Sequence, residues 1–317
     1  MGITADWYRS FATRQLRGMS RSYERLALFV ADDPRLLALL DELPEAKRQP
    51  NLLFAATRYL GGPTRTPGEF HDWLLWHWDE VAAQMCARRT QTNEAGRCAP
   101  ILPILAALPQ PWALLEVGAS AGLCLYPDRY RYRYGGRTVG DPASPVLLEC
   151  APEGDVPVPD GVPRIAWRAG LDINPLDITD DDVLRWLSAL VWPEQEHRRA
   201  RLHAAAELAR KDPPRLVRGD LLTDLPALAA QAPADATLVV FHTSVLCYVK
   251  DADAREGFAD LARSLPGHWI SNEDADVFPS HAVPVTAPDG GPEPQVVALD
   301  GRAVALAGSH GQSVKWL

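Results

Sequence analysis

The sequence predicts an α/β protein with a mostly parallel sheet, preceded by an all-helical N-terminal lobe. Three observations carry this prediction. Apolar residues recur at helical spacing through residues 1–110, and no segment there has the composition of a strand. From Trp112 onward, short apolar segments alternate with amphipathic ones, as in βαβ units. Two alternating apolar segments then flank Asp300-Gly301, which indicates an antiparallel hairpin.

We therefore expect two domains, which cover residues 1–110 and 111–317. A chain of 317 residues has room for two domains at roughly 150 residues each. In the first domain, apolar spacing and turn residues predict a short helix from Pro34, a helix over Asn51–Leu60, one long helix over Pro67–Arg89, and a helix over 94–108 that Asn93 caps.

In the second domain, strands and helices are expected to alternate. The predicted strands are 113–117, 164–172, 215–220, the start of 236–249, and 268–274. The predicted helices are 180–210, broken at Pro193, then 225–231 and 253–264.

The first two strands are separated by an expected insertion over residues 126–163, whose Pro-rich end, 151–163, is predicted to be a loop. Its residues Tyr130, Tyr132 and Tyr134 alternate with arginines. A strand there would place the tyrosines on one face and the arginines on the other. Packing of the tyrosines on the core is the favoured interpretation, and contact of the arginines with an acidic substrate is the alternative.

Charge and cysteine content limit the classes of function. The 32 basic and 41 acidic residues give a net charge of −9, so neither nucleic acid nor an anionic membrane is an expected partner. Five cysteines form no Cys-x-x-Cys pair, and no histidine cluster has metal-ligand spacing, so we expect no metal and a reducing, cytoplasmic setting. A small molecule is the expected substrate, and the oligomeric state is left open.

A glycine-rich turn, Glu-Val-Gly-Ala-Ser-Ala-Gly, follows the first predicted strand. Gly118 and Gly122 permit close approach of the backbone to a ligand, and a helix beginning after the turn would offer free amide groups. The turn resembles motif I of class I S-adenosylmethionine-dependent methyltransferases, with Ser120 at the middle glycine. The resemblance implies that Glu116 lies near the methionine ammonium group, and that Gly118, Ala119, Ser120 and Gly122 line the cofactor.

The same residues also spell Gly-x-Ser-x-Gly, the nucleophile elbow of α/β-hydrolases. Ser120 would then be the nucleophile, and His281 or His310 would follow as the base. Two features favour the methyltransferase: a hydrolase has several strands before its elbow, and Ala119 is smaller than the residue that hydrolases usually carry there. A non-catalytic cofactor-binding protein of the same fold is a third alternative.

Acidic residues follow the next two predicted strands. Asp172 ends the second strand, where an acid usually binds ribose hydroxyl groups. Asp220, followed by Leu221, ends the third, where methyltransferases commonly contact the adenine amine. Either residue alone fits a helix cap or a turn equally well. Their successive placement favours a ligand, because ligands bind at the carboxyl ends of such sheets.

His242 ends the fourth predicted strand, in Phe-His-Thr-Ser. Histidine is the residue type whose proton exchanges near neutral pH, which suits a general base, and a hydrogen-bonded core histidine is the alternative. We expect transfer of a methyl group from S-adenosylmethionine to an unidentified small molecule, mostly through positioning, with His242 orienting or deprotonating the acceptor.

Several segments, read together, resemble an uncharacterised bacterial family catalogued as domain of unknown function 2332. They are EVGASAGLCLYPDRYRY, LDINPLD, ALVWPEQEHRR, TNEAGRC and FHTSVLCYV. The family is similar to class I methyltransferases at the level of the fold. It therefore implies a Rossmann-like sheet of five parallel strands, followed by an antiparallel hairpin.

Overall fold

A computed structural model describes residues 2–162, 164–281, 283–285 and 293–317. Contacts divide these residues into two compact units. The first holds the residues up to Thr92 together with Asp180–His203, and the second holds the remainder. The sequence-based boundary at residue 110 differs from this division, because residues 93–110 belong to the second unit. Among the described residues, no helix is both long enough and apolar enough to span a membrane.

The first unit is built from helices, which are numbered here along the whole chain. They are α1 (Ile3–Phe11), α2 (Arg21–Asp32), α3 (Pro34–Asp41), α4 (Pro50–Tyr59), α5 (Pro67–Trp76), α6 (Trp78–Ala87) and α8 (Asp181–Leu190). Proline at the first position begins three of them, since its fixed φ suits a helix and its missing N–H is not needed there. Asp33 caps α3 by accepting from the amides of Arg35 and Leu36 at 2.9 and 3.1 Å.

The prediction of one long helix over Pro67–Arg89 is wrong, because the helix breaks at His77. This residue has φ −116° and ψ 18°, outside the helical region. Its Nδ1 lies 2.8 Å from the carbonyl oxygen of Trp73, and the two rings stack at 4.1 Å. A side chain that bonds to this carbonyl competes with the helical ladder, so α5 ends and α6 begins.

Aromatic side chains form the core of the first unit. Tyr23 and Phe54 have ring centroids 4.6 Å apart, and Phe54 meets Phe70 at 5.9 Å. Trp186 of α8 is buried in the same cluster. The two helical segments of this unit therefore share one hydrophobic core, although almost ninety residues of chain lie between them.

The second unit contains one sheet of eleven strands in the described chain. Its members are β1 (Trp112–Val117), β2 (Arg131–Tyr134), β3 (Arg137–Val139), β4 (Leu147–Glu153), β5 (Ile165–Asp172), β6 (Arg215–Arg218), β7 (Thr237–Thr243), β8 (His268–Glu273), β9 (Gln295–Leu299), β10 (Arg302–Ala307) and β11 (Ser313–Trp316). They lie in the order β3-β2-β4-β11-β10-β9-β8-β7-β1-β5-β6. Five consecutive strands of this order, β8-β7-β1-β5-β6, are mutually parallel.

The prediction of a mixed α/β fold with a mostly parallel sheet is confirmed. The predicted hairpin is also present, since β9 and β10 pair antiparallel around Asp300 and Gly301. Both turn residues have positive φ, of 52° and 86°, as a two-residue hairpin loop requires. The sheet is larger than expected, because the predicted insertion forms β2, β3 and β4. The strand β4 runs to Glu153, into the predicted Pro-rich loop, and Pro163 lies outside the described residues.

In the described part of the second unit there are three further α-helices, and a fourth is shared with the first unit. They are α7 (Cys98–Ala106), α10 (Leu225–Ala229), α11 (Ala252–Ser264), and α9 (Glu196–Arg210), which crosses the boundary between the units. Apolar residues of α10 and α11 pack on one face of the sheet, against residues such as Leu115, Val240 and Trp269. We call this the α11 face. The residues that alternate with these, among them Leu114 and Phe241, point to the opposite face.

The predicted strand of alternating tyrosines and arginines is β2. Tyr132 and Tyr134 are buried, whereas Arg133 is exposed. The hydroxyl groups of the two tyrosines donate to the carbonyl oxygens of Pro127 and Ala99, at 2.7 and 2.6 Å. The favoured interpretation, in which the tyrosines pack on the core, is therefore confirmed.

Candidate functional site

The glycine-rich turn leaves the carboxyl end of β1 in a left-handed conformation at three positions. Gly118 has φ 70°, Ser120 51° and Gly122 72°. No helix follows, because a single 3-10 turn over Leu123–Leu125 leads on toward β2. The expectation that a helix would offer free amide groups after the turn is therefore wrong.

The side chain of Asn93 bonds to the backbone of the turn in the absence of that helix. Its Oδ1 accepts from the amide of Leu123 at 2.9 Å, and its Nδ2 donates to the carbonyl oxygen of Ala119 at 3.3 Å. The predicted helix over 94–108 is present with shorter bounds, as a 3-10 turn over Ala95–Arg97 followed by α7. Asn93 does not cap it, because Oε1 of Glu94 accepts from the amide of Gly96 at 3.0 Å. An asparagine can serve a turn as it serves a helix end, because its amide offers both donors and an acceptor.

Close packing explains two glycines at this edge of the sheet. A Cβ on Gly118 would lie 2.3 Å from Cγ2 of Val245, which follows β7. A Cβ on Gly170 of β5 would lie 2.5 Å from that of Ala119. The turn therefore rests directly on the ends of the neighbouring strands β5 and β7.

Asp172, the predicted ribose-binding residue, holds the turn in place. Its Oδ2 accepts from the amide of Ser120 at 2.7 Å, and its Oδ1 accepts from the amide of Asn174 at 2.7 Å. The side chain is mostly buried. Each carboxylate oxygen keeps a further lone pair, so a ligand hydroxyl group still has an acceptor here.

Asp220, the second predicted ligand residue of this kind, is exposed after β6. Its Oδ1 accepts from the amides of Leu222 and Thr223, at 2.8 and 3.3 Å, which is the pattern of a local turn. Leu221 beside it is half-buried against the α11 face. Contact of these two residues with a cofactor remains a prediction.

Glu116 is a buried acid of the site with an unpaired oxygen. It is the last residue but one of β1 and has 2% of its surface exposed, and its Oε2 has no hydrogen-bond partner among the described residues. Burial raises the pKa of this carboxyl well above its usual range, and the proximity of Cys124 and Asp172 raises it further. A ligand cation at Oε2 would reverse this effect, because an opposite charge favours the ionised carboxylate.

Two amides that the sequence analysis did not single out lie near the same edge. Asn272 of β8 is fully buried, and neither its Nδ2 nor its Oδ1 has a partner in the described part of the chain. Gln295, which begins β9, is also buried and has an unpaired Oε1. The signal available in the sequence is a pair of polar residues, Asn272 and Glu273, near the end of the predicted strand over 268–274.

Strand register places Glu116 and Asn272 on the same face of the sheet. Glu116 pairs with Phe241, which in turn pairs with Ile270. Paired residues of neighbouring strands point to the same face, and so do residues two apart in one strand. Asn272 lies two residues beyond Ile270. Its side chain and that of Glu116 therefore both point to the face of the sheet away from α11.

His242, the predicted general base, lies on the α11 face instead. It is fully buried, and its ring stacks on Trp269 at 5.9 Å and meets Phe258 edge-on at 5.3 Å. Its Nδ1 donates to Oε1 of Glu273 at 2.7 Å. The structure therefore separates His242 from Glu116, and its role as a base remains a prediction.

Glu273 uses the same oxygen to hold the segment after β7. Its Oε1 accepts from the amides of Val245 and Leu246, at 2.8 and 3.2 Å, in addition to His242. Because Val245 also packs on Gly118, this carboxylate fixes the position of a wall of the candidate site. Sequence reasoning missed this role, since nothing in a linear pattern links residue 273 to residue 245.

Backbone strain also gathers at this edge. Ser120 after β1 and Ser244 after β7 are two of the non-glycine residues with positive φ, at 51° and 55°. The amide of Ser244 donates to the carbonyl oxygen of Asn272 at 2.9 Å, and its Oγ accepts from Nε2 of Gln295 at 2.6 Å. Strained conformations of this kind concentrate at functional sites.

The alternative hydrolase site is not assembled in this conformation. The Oγ of Ser120 is buried and has no hydrogen-bond partner in the described ranges, so no histidine bonds to it. His281 packs instead against Phe278 and Trp269, with ring centroids 4.9 and 5.6 Å away. His310 lies in the turn between β10 and β11, where its amide donates to Oε1 of Gln312.

Comparison with known proteins gives one family and no individual relative. No curated protein matches the chain, and no solved structure does. A family model matches residues 5–316, a range that includes every site residue discussed above. The chain therefore belongs to the bacterial family described as "Uncharacterized protein conserved in bacteria (DUF2332)".

Proposed function

We propose that the protein is an S-adenosylmethionine-dependent methyltransferase that acts on a small-molecule acceptor. The observation that carries the proposal is the buried carboxyl of Glu116, with its unpaired oxygen at the end of β1. Among the five parallel strands, β5 and β6 lie on one side of β1, whereas β7 and β8 lie on the other. Open α/β sheets bind ligands where the strand order reverses in this way.

The cofactor would supply a methyl group on a positively charged sulfur. It also carries an ammonium group, whose hydrogen bonds Glu116 can accept. Several of this chain's own groups suit such a ligand. Glu116 would bind the ammonium group, the backbone at Gly118 and Ala119 would approach it closely, and Asp172 would offer its remaining lone pairs to hydroxyl groups. Asp220 and Leu221 are the proposed contacts for the adenine.

Catalysis would then depend mainly on positioning. In-line displacement at a methyl group needs the acceptor atom held opposite the sulfur, and well-oriented reactants gain several orders of magnitude in rate. Glu273 contributes by fixing the backbone of Val245 and Leu246 beside the turn. His242 would act either as the base or, through its bond to Glu273, as a positioning residue.

Binding of the cofactor should release protons. Burial holds the pKa of Glu116 above its usual range in the ligand-free protein, and an ammonium partner favours the ionised form. The released protons can be counted by isothermal titration with S-adenosylhomocysteine in two buffers that differ in ionisation enthalpy. At a pH near the raised pKa of Glu116, we expect the wild type to release protons on binding and Glu116→Gln to release fewer.

Thermal unfolding provides the broader test. A ligand at 100 times its Kd adds about 2.7 kcal/mol to the free energy of unfolding, which raises the Tm by several degrees. We expect S-adenosylmethionine and S-adenosylhomocysteine to stabilise the wild type and Glu42→Gln, an exposed control, but not Glu116→Gln. Absence of a shift in the wild type at every attainable concentration would refute the proposal. A shift without methyl transfer to any acceptor would favour a non-catalytic cofactor-binding protein.

A serine hydrolase remains the second candidate, and the conformation of Ser120 favours it. A non-glycine residue at φ 51° in the turn after β1 is the kind of strained geometry found at a nucleophile elbow, and its buried Oγ has no hydrogen-bond partner among the described residues. Hydrolysis of a p-nitrophenyl ester that disappears in Ser120→Ala would establish this activity. Hydrolysis that persists in the variant would exclude Ser120 as the nucleophile.

A further inference from the structure

We propose that Asn272 and Gln295 bind the methyl acceptor, and that this acceptor carries an amino group beside a hydrogen-bond acceptor. A primary carboxamide and a 6-aminopurine both present such an edge. The inference rests on the proposed function, because it names the substrate class of the same site.

The two amides are neighbours on one face of the sheet. Asn272 pairs with Val297 across β8 and β9, and Gln295 lies two residues from Val297 along β9. Diagonal neighbours of this kind have Cα atoms about 7–8 Å apart, within reach of long side chains. Both amides are therefore directed to the face that carries Glu116, at the carboxyl end of the parallel strands.

Gln295 is held in one orientation by its neighbours. Its Nε2 donates to Oγ of Ser244 at 2.6 Å and to Oδ1 of Asp274 at 3.0 Å. These two bonds use both amide hydrogens, so Oε1 is left as a fixed acceptor without a partner. A glutamine fixed in this way is ready to accept from a ligand.

Asn272 has no such partners although it is fully buried. Its Nδ2 and Oδ1 both lack a hydrogen bond with any described residue. A buried amide left unpaired lowers stability, so a protein gains nothing from it in the ligand-free state. The geometry assigns this amide to a ligand.

The free groups define the chemistry of that ligand. Asn272 Oδ1 and Gln295 Oε1 are acceptors, and Asn272 Nδ2 is a donor. An NH2 group can donate to both oxygens while an adjacent carbonyl oxygen or ring nitrogen accepts from Nδ2. Asparagine pairs with the N6 and N7 edge of adenine in this manner. A carboxylate would meet two acceptors, and an ester would lack the donor.

Substitution of Asn272 by Leu tests the proposal in the ligand-free protein first. Leucine has nearly the same shape and removes both polar atoms, so a ligand-binding amide should be replaced without loss of stability. We expect the Tm of Asn272→Leu to equal or exceed that of the wild type. A lower Tm would show that the amide supports the fold and would overturn the proposal.

Ligand binding is tested with two pairs of probes at concentrations up to the solubility limit. Nicotinamide is compared with methyl nicotinate, and adenosine with purine riboside, since the second member of each pair lacks the NH2 group. We expect one of the amino probes to raise the wild-type Tm, and its partner to have no effect. Binding of nicotinamide would indicate a carboxamide, and binding of adenosine would indicate an aminopurine. Stabilisation by neither amino probe would overturn the proposal.

The variants then separate this proposal from the cofactor proposal. Asn272→Leu should lose the shift with the amino probe and keep the shift with S-adenosylhomocysteine, whereas Gln231→Leu, an exposed control, should keep both. Loss of both shifts in Asn272→Leu, or of neither, would overturn the assignment to the acceptor. If S-adenosylhomocysteine has no effect on the wild type while an amino probe binds through Asn272, the cofactor proposal alone fails.

Discussion

The carboxylate of Asp172 and the backbone amide of Ser120 form a hydrogen bond of 2.7 Å, which joins the carboxyl end of β5 to the turn after β1. The same carboxylate accepts from the amide of Asn174. An acid expected to bind a ligand thus also fixes the conformation of a strained serine. The two roles make different demands on the side chain, so substitution can separate them.

Asp172→Asn should destabilise the protein by about 1–3 kcal/mol, because an amide offers one oxygen where two backbone N–H groups need acceptors. The midpoint of urea unfolding measures this effect. Asp155→Asn, at an exposed position, is the matched control and should leave the midpoint unchanged. Equal midpoints for wild type and Asp172→Asn would mean that these two bonds do not stabilise the turn.

Gly118→Ala should be strongly destabilising for two separable reasons. The left-handed φ of 70° costs a non-glycine residue about 1–2 kcal/mol, and the new Cβ would overlap Val245. Adding Val245→Ala removes the overlap only, so the double variant should recover part of the lost stability. Gly136→Ala, which has open space around it, should be close to neutral. A double variant no more stable than the single one would contradict the role given to Val245.

His242→Ala should lower the free energy of unfolding by about 3–5 kcal/mol, since it leaves a cavity beside Trp269 and removes one of the hydrogen bonds to the buried carboxylate of Glu273. His242→Asn should keep much of this stability, because its amide can donate to Glu273 as Nδ1 does. Chemical denaturation compares the two variants. Once an acceptor is known, wild-type turnover by His242→Asn would remove His242 from the mechanism as a base.

We expect ionised Asp182 to stabilise the first unit, and this stabilisation should depend on pH. Hydrogen bonds from Arg88, at 2.5 Å, and from Tyr59 lower the pKa of its carboxyl to about 2. A lowered pKa means that the contribution is complete above the usual value of 3.8 and is lost as the pH falls toward 2. Because the side chain is partly exposed, Asp182→Asn should cost less than about 1 kcal/mol.

Unfolding of wild type and Asp182→Asn at several pH values between 2 and 6 checks this contribution. The difference between them should shrink as the pH approaches 2. Asp235→Asn, an exposed control in the other unit, should show no such trend. A difference that is constant with pH would assign the effect to packing rather than to charge.

Local pattern was sufficient to predict most of the elements and insufficient to predict the site. The strands β1, β5, β7 and β8 appear as apolar segments, and the hairpin at Asp300-Gly301 follows from turn chemistry. The break at His77 depends on a side chain that bonds to a particular carbonyl group. The spacing of apolar residues in the sequence does not reveal such a bond.

The site required tertiary information for the same reason. The bond from Leu123 to Asn93 and the face shared by Glu116 and Asn272 depend on strand order and register. The order of strands in a sheet is not encoded by the hydrophobicity of any one strand. Candidates such as Glu116 and Asp172 were found because they lie at strand ends, whereas Asn272 and Gln295 become visible only once their buried amides are seen to have unpaired atoms among the described residues.

The strand β11 has a consequence for how the molecule is made. It pairs with β10 on one side and with β4 on the other, so among the described strands it alone connects β2, β3 and β4 to the rest of the sheet. Ser313 lies opposite Ala151, so β4 is synthesised long before its partner exists. Until β11 arrives, β4 has an open edge of the kind that recruits foreign strands. Pairings between strands so distant in the chain form slowly. We therefore expect chaperones to bind the nascent protein while the edge of β4 is exposed.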